Sequence, residues 1–236
     1  MAVRYASNRF TGHLNPQRFN RITHGKVTLR TYCTSCERPL SRCVCGLATQ
    51  VKLPWRLVVL QDPGEVKQAK GSLALLRACV PDITVWSSHD FSQHTALNAL
   101  LAEPNLQCVL LYPGEQAQSV SHWQESSPTG PLCIIVLDGT WRKSLKMLLG
   151  HPQLAQLPRM SLASTHASRY LIRKSPRTDG LSTFEAVGFL MREWCQQQGD
   201  AVGIAESERL LASFERWIAR ELTALPPEIR ARYPTT

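Results

Sequence analysis

No apolar run in this chain approaches the ~20 residues that cross a bilayer, and its first residues, MAVRYASNRFTGH, lack the apolar centre of a secretory signal. Those two absences lead us to expect a cytoplasmic protein with no membrane partner. Familiar catalytic signatures are missing as well. There is no G-x-G-x-x-G, which removes the common dinucleotide fingerprint, and no G-x-x-x-x-G-K-[ST]; the nearest text, PGEVKQAKGS, has the wrong spacing. H-E-x-x-H and G-x-S-x-G are absent, so zincin and serine-hydrolase readings fall away. The histidines form no ligand pair at helical spacing, and each reads as a surface or polar-loop residue.

Acid is the other scarcity. No Asp or Glu occurs from Met1 to Cys36, or from Gly139 to Thr178, while the net charge is +9. Excess cations attract polyanions over long range. One basic run is as readily a solvated face. Two of them, the second holding Arg142, Lys143, Lys146, Arg169, Arg173, Lys174 and Arg177, favour a nucleic-acid surface. In bulk the chain is an ordinary globular protein, 43% hydrophobic and 19% charged. Its 236 residues fit one large domain with a small appendage. We divide it into a basic N-terminal arm with a cysteine knuckle (1–50) and a main domain (51–236).

The cysteines form two populations. Cys79, Cys108, Cys133 and Cys195 sit in apolar surroundings such as PLCIIVLD and read as small buried hydrophobes. Cys33, Cys36, Cys43 and Cys45 instead occur as C-x2-C-x6-C-x-C, with Pro39 and Gly46 to help the chain turn. Without an export signal a disulfide framework is not expected. Four thiolates suit a closed, tetrahedral, structural Zn²⁺ site; reduced thiols or a redox cluster are the alternatives.

Compact apolar runs predict strands at 55–61 (WRLVVLQ), 83–86, 107–112 (QCVLLY), 132–137 and 159–163. Helices are expected at 68–79, 95–101 and 140–149. A further helix opens with a capping box at Ser182-Thr183-Phe184-Glu185, and a last amphipathic helix covers 206–222. In the 140–149 helix, Trp141, Leu145, Leu148 and Leu149 are assigned to the apolar side. Strands alternating with helices predict an α/β fold with a mostly parallel sheet and flanking helices. Ligands in such sheets bind outside the carboxyl ends of strands. Two strand ends are chemically loaded: LLYPG at 110–114 and VLDGT at 136–140. Asp138 there is explained either by chemistry or by capping the next helix, with Gly139 as its first residue.

The D-x-T-W string at Asp138–Trp141 after an apolar strand resembles the DTW-domain family. So do the C-x2-C-x-R-P…C-x-C knuckle, the L-Y-P-G strand end and the L-S-T-x-E-A string at Leu181–Ala186. One departure is visible. Relatives often carry His where this chain has Asp62 before Pro63, so we assign no role to that loop's acids.

The resemblance implies a SPOUT-like fold with a C-terminal knot. It also implies a tRNA-uridine aminocarboxypropyltransferase that uses S-adenosylmethionine to alkylate N3 of a uridine in the tRNA variable loop. A knot runs against the rarity of threaded chains and is expected on the family's account alone. Three loops would seat the donor: Leu111, Tyr112, Pro113 and Gly114; Leu137, Gly139, Thr140 and Trp141; and Leu181, Ser182, Thr183 and Glu185. Trp141 is read as core packing before stacking, and Glu185 as a cap before a catalyst. Asp138 is the catalytic candidate, either accepting the N3 proton or favouring the sulfonium and amino charges. The basic residues would cradle tRNA phosphates; no protein partner is implied. A methyltransferase of the same fold and a zinc-stapled RNA-binding module without catalysis are the rival readings.

Overall fold

The computed structural model describes residues 31–126, 130–163, 166–172 and 180–233. The expected arm over 1–30 lies outside them. The residues from Tyr32 onward form one compact unit, cysteine knuckle included.

Among the described residues, six strands form one all-parallel sheet. They are β1 (Arg56–Gln61), β2 (Thr84–Ser87), β3 (Gln107–Leu111), β4 (Ala117–Ser119), β5 (Leu132–Asp138) and β6 (Arg159–Ser161). The spatial order is β2-β1-β5-β3-β6-β4. Central β5 shows why its sequence is a continuous apolar run. Ile134 and Val136 join the core on one face, while Cys133, Ile135 and Leu137 join a second core on the other. A strand covered on both faces leaves no polar position in its pleat.

The helices complete the two layers. On one face lie α1 (Leu73–Cys79), α6 (Thr183–Gln197) and α7 (Ala201–Thr223), contributing Leu76, Phe184, Leu190, Phe214 and Trp217. On the other lie α2 (Thr95–Leu101), α4 (Trp141–Gly150) and α5 (Pro152–Ala155), contributing Leu97, Leu100, Met147, Leu148 and Leu154. Two shorter helices are α3 (Val120–Ser126) and α8 (Pro227–Arg230). Among the described residues no helix is long and apolar enough to cross a membrane.

Several expectations move. The first helix starts at Leu73 instead of 68, because the chain before it runs through successive turns, with Gln68 N bonding to Glu65 O and Gly71 N to Gln68 O, each at 3.0 Å. Helix α7 starts at Ala201, where Asp200 accepts from Gly203 N, and not at 206. Strand β4 and helix α3 were not anticipated. In α4 the buried residues are Ser144, Met147 and Leu148; Leu145 and Leu149, assigned to the apolar side, are 45% and 71% exposed. Of the C-terminal part of the chain, where the knot is expected, residues 164–165 and 173–179 lie outside the described residues.

Candidate active site and metal centre

The carboxyl ends of β5, β3 and β6, together with the entry to α6, enclose a cavity of about 400 Å³. Parallel strands all point their C-terminal ends the same way, so loops far apart in sequence meet at one rim. Asp138, the last residue of β5, lies on the wall and is the one carboxylate among the described lining residues. Its Oδ2 accepts from Gln61 Nε2 at 2.8 Å and its Oδ1 from Thr183 Oγ1 at 2.6 Å. The Gln61 contact follows from register, because Gln61 and Asp138 are paired neighbours across β1 and β5.

The capping reading of Asp138 is overturned. Thr140 is the N-cap of α4, its Oγ1 accepting from Lys143 N at 3.4 Å. Gly139 therefore precedes the cap. A Cβ there would lie 3.1 Å from Lys143 Cβ and 3.3 Å from Ser144 Oγ, so a side chain at 139 would require these neighbours to give by a few tenths of an ångström.

Most expected cavity residues do line it: Leu111, Tyr112 and Pro113; Leu137, Gly139, Thr140 and Trp141; and Leu181, Ser182 and Thr183. Trp141 is half-buried and meets Tyr112 edge-on, ring centroids 6.1 Å apart. Gly114 and Glu185 are not among the lining residues. Glu185 is 1% exposed and completes the capping box. Its carboxylate accepts from Ser182 N at 2.8 Å and from Arg169 N at 2.6 Å, and Ser168 Oγ donates to it as well. It ties the 168–169 loop to the start of α6.

The cavity also takes in Met160, Leu162, Ser72, Tyr170 and His166, which sequence reasoning missed. His166 is no surface residue. Its side chain is 11% exposed, its ring stacks on Phe189 at 4.3 Å, and its Nε2 lies 2.5 Å from Glu193 Oε1. Arg192 Nη2 donates to Nδ1 at 3.3 Å, which puts the ring proton on Nε2.

The basic residues separate into groups. Lys143 Nζ bridges Asp62 Oδ1 at 2.8 Å and Glu65 Oε1 at 3.0 Å, so the acids given no role hold this cation down. Burial pushes the Asp62 carboxyl up, but the Lys143 ammonium and the Gly64 N–H outweigh it, and the net shift is downward. The same contact raises Lys143. Arg169 pairs with Glu215. Arg142, on the cavity rim, and Lys146 are exposed. Arg173, Lys174 and Arg177 lie outside the described residues.

The four knuckle sulfurs lie within 4.8 Å of one another. Cys33 and Cys45 Sγ are 3.8 Å apart, Cys36 and Cys43 Sγ 3.7 Å. A tetrahedron of sulfurs around zinc, with bonds of ~2.3 Å, has edges of ~3.8 Å. The donor set therefore fits Zn²⁺ in both identity and spacing. Backbone N–H groups of Cys36 and Ser35 hold the Cys33 thiol down at about 6, while burial and the neighbouring thiols push Cys45 up to about 12, so the four sulfurs do not ionise alike and the fit to zinc rests on their identity and spacing.

The fold and its rim define a parallel α/β protein with a cleft at the carboxyl ends of its strands. Residues 30–222 match the DTW domain, and the chain belongs to the DTW-domain family. It is 29% identical over 178 residues to tRNA-uridine aminocarboxypropyltransferase 2 of Mus musculus, covering 72% of this chain and 59% of that protein. The protein of that name from Macaca fascicularis is 28% identical, over 66% of this chain and 54% of the relative. The one from Drosophila melanogaster is 28% identical, over 66% and 63%. The chain thus spans about three-fifths of these relatives or less. No solved structure matches it.

Proposed function

We propose that this protein is a tRNA-uridine aminocarboxypropyltransferase acting in the cytoplasm, with S-adenosylmethionine as donor. The observation that carries this reading is a carboxylate, the one among the described lining residues of a largely apolar cavity, anchored through both oxygens. About 400 Å³ lies within the ~300–1,000 Å³ range of small-molecule sites. Leu111, Met160, Leu162 and the Tyr112–Trp141 pair offer an apolar seat for an adenine. A negative group beside them suits a ligand carrying sulfonium and ammonium charges.

In the reaction, N3 of uridine gives up its proton to solvent water and bonds to the methylene carbon next to the donor sulfur. The carbon–sulfur bond breaks, and sulfur leaves with the electron pair as methylthioadenosine. We assign Asp138 the electrostatic and orienting role. Gln61 and Thr183 donate to its two oxygens and fix its plane, which would hold its negative charge beside the donor's cationic groups. Arg142 and Lys146 at the rim would meet tRNA phosphates, with Arg173, Lys174 and Arg177 contributing from the acid-free run. Cys33, Cys36, Cys43 and Cys45 would hold structural zinc, whose chemistry there is to cross-link the knuckle. The SPOUT-like knot belongs to the same proposal.

The test is mass spectrometry after incubating unmodified tRNA with protein and S-adenosylmethionine. The expected products are aminocarboxypropyl-uridine and methylthioadenosine. S-adenosylhomocysteine would move the assignment to a methyltransferase, and no turnover with salt-sensitive RNA binding would move it to a binding module.

A further inference from the structure

Arg38 sits between the two cysteine pairs, and its carbonyl accepts from Cys33 N at 2.8 Å, so its backbone is part of the knuckle. Its side chain is not. The residue is 9% exposed, and its guanidinium lies 5.6 Å from the centroid of the Trp217 ring on α7. Nη2 donates to the Gly71 carbonyl at 2.7 Å. Nη1 is buried with no hydrogen-bond partner among the described residues.

Burying a guanidinium with one nitrogen unsatisfied is unfavourable, and an apolar side chain of similar volume would fill such a space with less penalty. Besides its contact with the Trp217 face, the cation supplies a strong, directed donor to Gly71. Gly71 belongs to a short strap before α1, in which Gly71 N bonds to Gln68 O at 3.0 Å. The strap is stitched to the segment before α6 from both sides. Lys70 Nζ donates to Ile172 O at 2.9 Å, and the Tyr170 hydroxyl donates to Lys70 O. Ser72, next after Gly71, and Tyr170 both lie on the cavity wall. A short chain of hydrogen bonds thus runs from the cysteine knuckle to the cavity.

We infer that Arg38 is a positioning residue: anchored in the metal knuckle, it holds the 68–72 strap and, through it, the Ser72–Tyr170 wall of the cavity. The functional half of this inference rests on the cavity's taking S-adenosylmethionine; the mechanical half does not. Knuckle integrity is then felt at the cavity as donor affinity.

Arg38→Met tests it, because Met keeps the apolar bulk and removes both the buried charge and the donor. Four quantities are read on full-length protein: zinc content, thermal midpoint, hydrogen exchange over 68–76 and 166–172, and calorimetric affinity for S-adenosylmethionine. The brace predicts unchanged zinc, a midpoint equal to or above wild type, faster exchange in both segments and about tenfold weaker donor binding. Arg38→Lys, which keeps a shorter donor, should recover part of that affinity. A purely structural residue would move midpoint and affinity together. Unchanged exchange, or unchanged donor affinity alongside faster exchange, overturns the inference. Loss of zinc in both variants also overturns it, since Arg38 would then act in metal retention. A wild-type protein that binds no donor, with exchange still accelerated by Arg38→Met, removes the cavity's assignment and leaves the brace standing.

Discussion

Asp138 is held by donors on two different elements, and its isosteric amide keeps both contacts only by reversing one and giving up the negative charge. In Asp138→Asn, Oδ1 can still accept from Gln61 while Nδ2 donates to the Thr183 hydroxyl oxygen, so the substitution tests the charge with the anchoring largely kept. Donor affinity should fall, and kcat/KM should drop by about 100-fold with an unchanged circular dichroism spectrum. Thr183→Val removes one anchor only and should lose less. Lys143 makes a second residue-scale prediction. Asp62 titrates below its ordinary 3.8, so its share of stability is present above that value and lost as pH falls through the lowered one. Lys143 titrates above its ordinary 10.5, so its share is present below that value and lost as pH rises through the raised one. The gap in urea midpoint between wild type and Lys143→Met should therefore be flat across neutral pH and shrink at both extremes. Asp138 was legible in the sequence because an acid that ends a buried strand breaks a pattern. The Lys143–Asp62–Glu65 and His166–Glu193 clusters were not, since each joins residues distant along the chain and no local pattern announces them.

At the scale of elements, strands buried on both faces announce themselves. Strands β1, β3 and β5 read directly from their apolar runs because flanking helices cover both sides. Strand β4 is the three-residue edge AQS, without an apolar residue larger than Ala, and nothing in its composition separates it from a loop. Helix α6 was legible through its cap. Removing that cap in Ser182→Ala should cost about 1 kcal/mol in denaturant unfolding. It should also loosen the 168–169 loop, because Ser182 Oγ donates to Glu185 Oε2 at 2.8 Å and helps fix that carboxylate. Helix α4 was misread in part: Leu148 faces the core as assigned, but Met147 joins it there while Leu145 and Leu149 stay exposed. Spacing alone marks a face; the neighbouring elements decide which face is covered.

For the whole molecule, charge and metal are the properties to measure. Elemental analysis should find about one zinc per chain, and replacing Cys33 and Cys36 together by Ser should remove it and lower the thermal midpoint. RNA affinity should fall steeply with salt, and Arg142→Gln with Lys146→Gln should flatten the log–log slope by about 1–2. Lys143→Gln should leave that slope nearly unchanged, because its ammonium already faces two carboxylates.

The anchoring of Asp138 has a bearing on synthesis. One donor arrives with β1 and the other with α6, late in the chain. A nascent polypeptide can lay down β1, β3 and β5 and still possess no finished pocket until the residues near 183 leave the ribosome and dock. Premature termination before that point should yield a sheet-forming fragment that is inert toward the donor, so synthesis order itself delays activity until the fold is nearly complete.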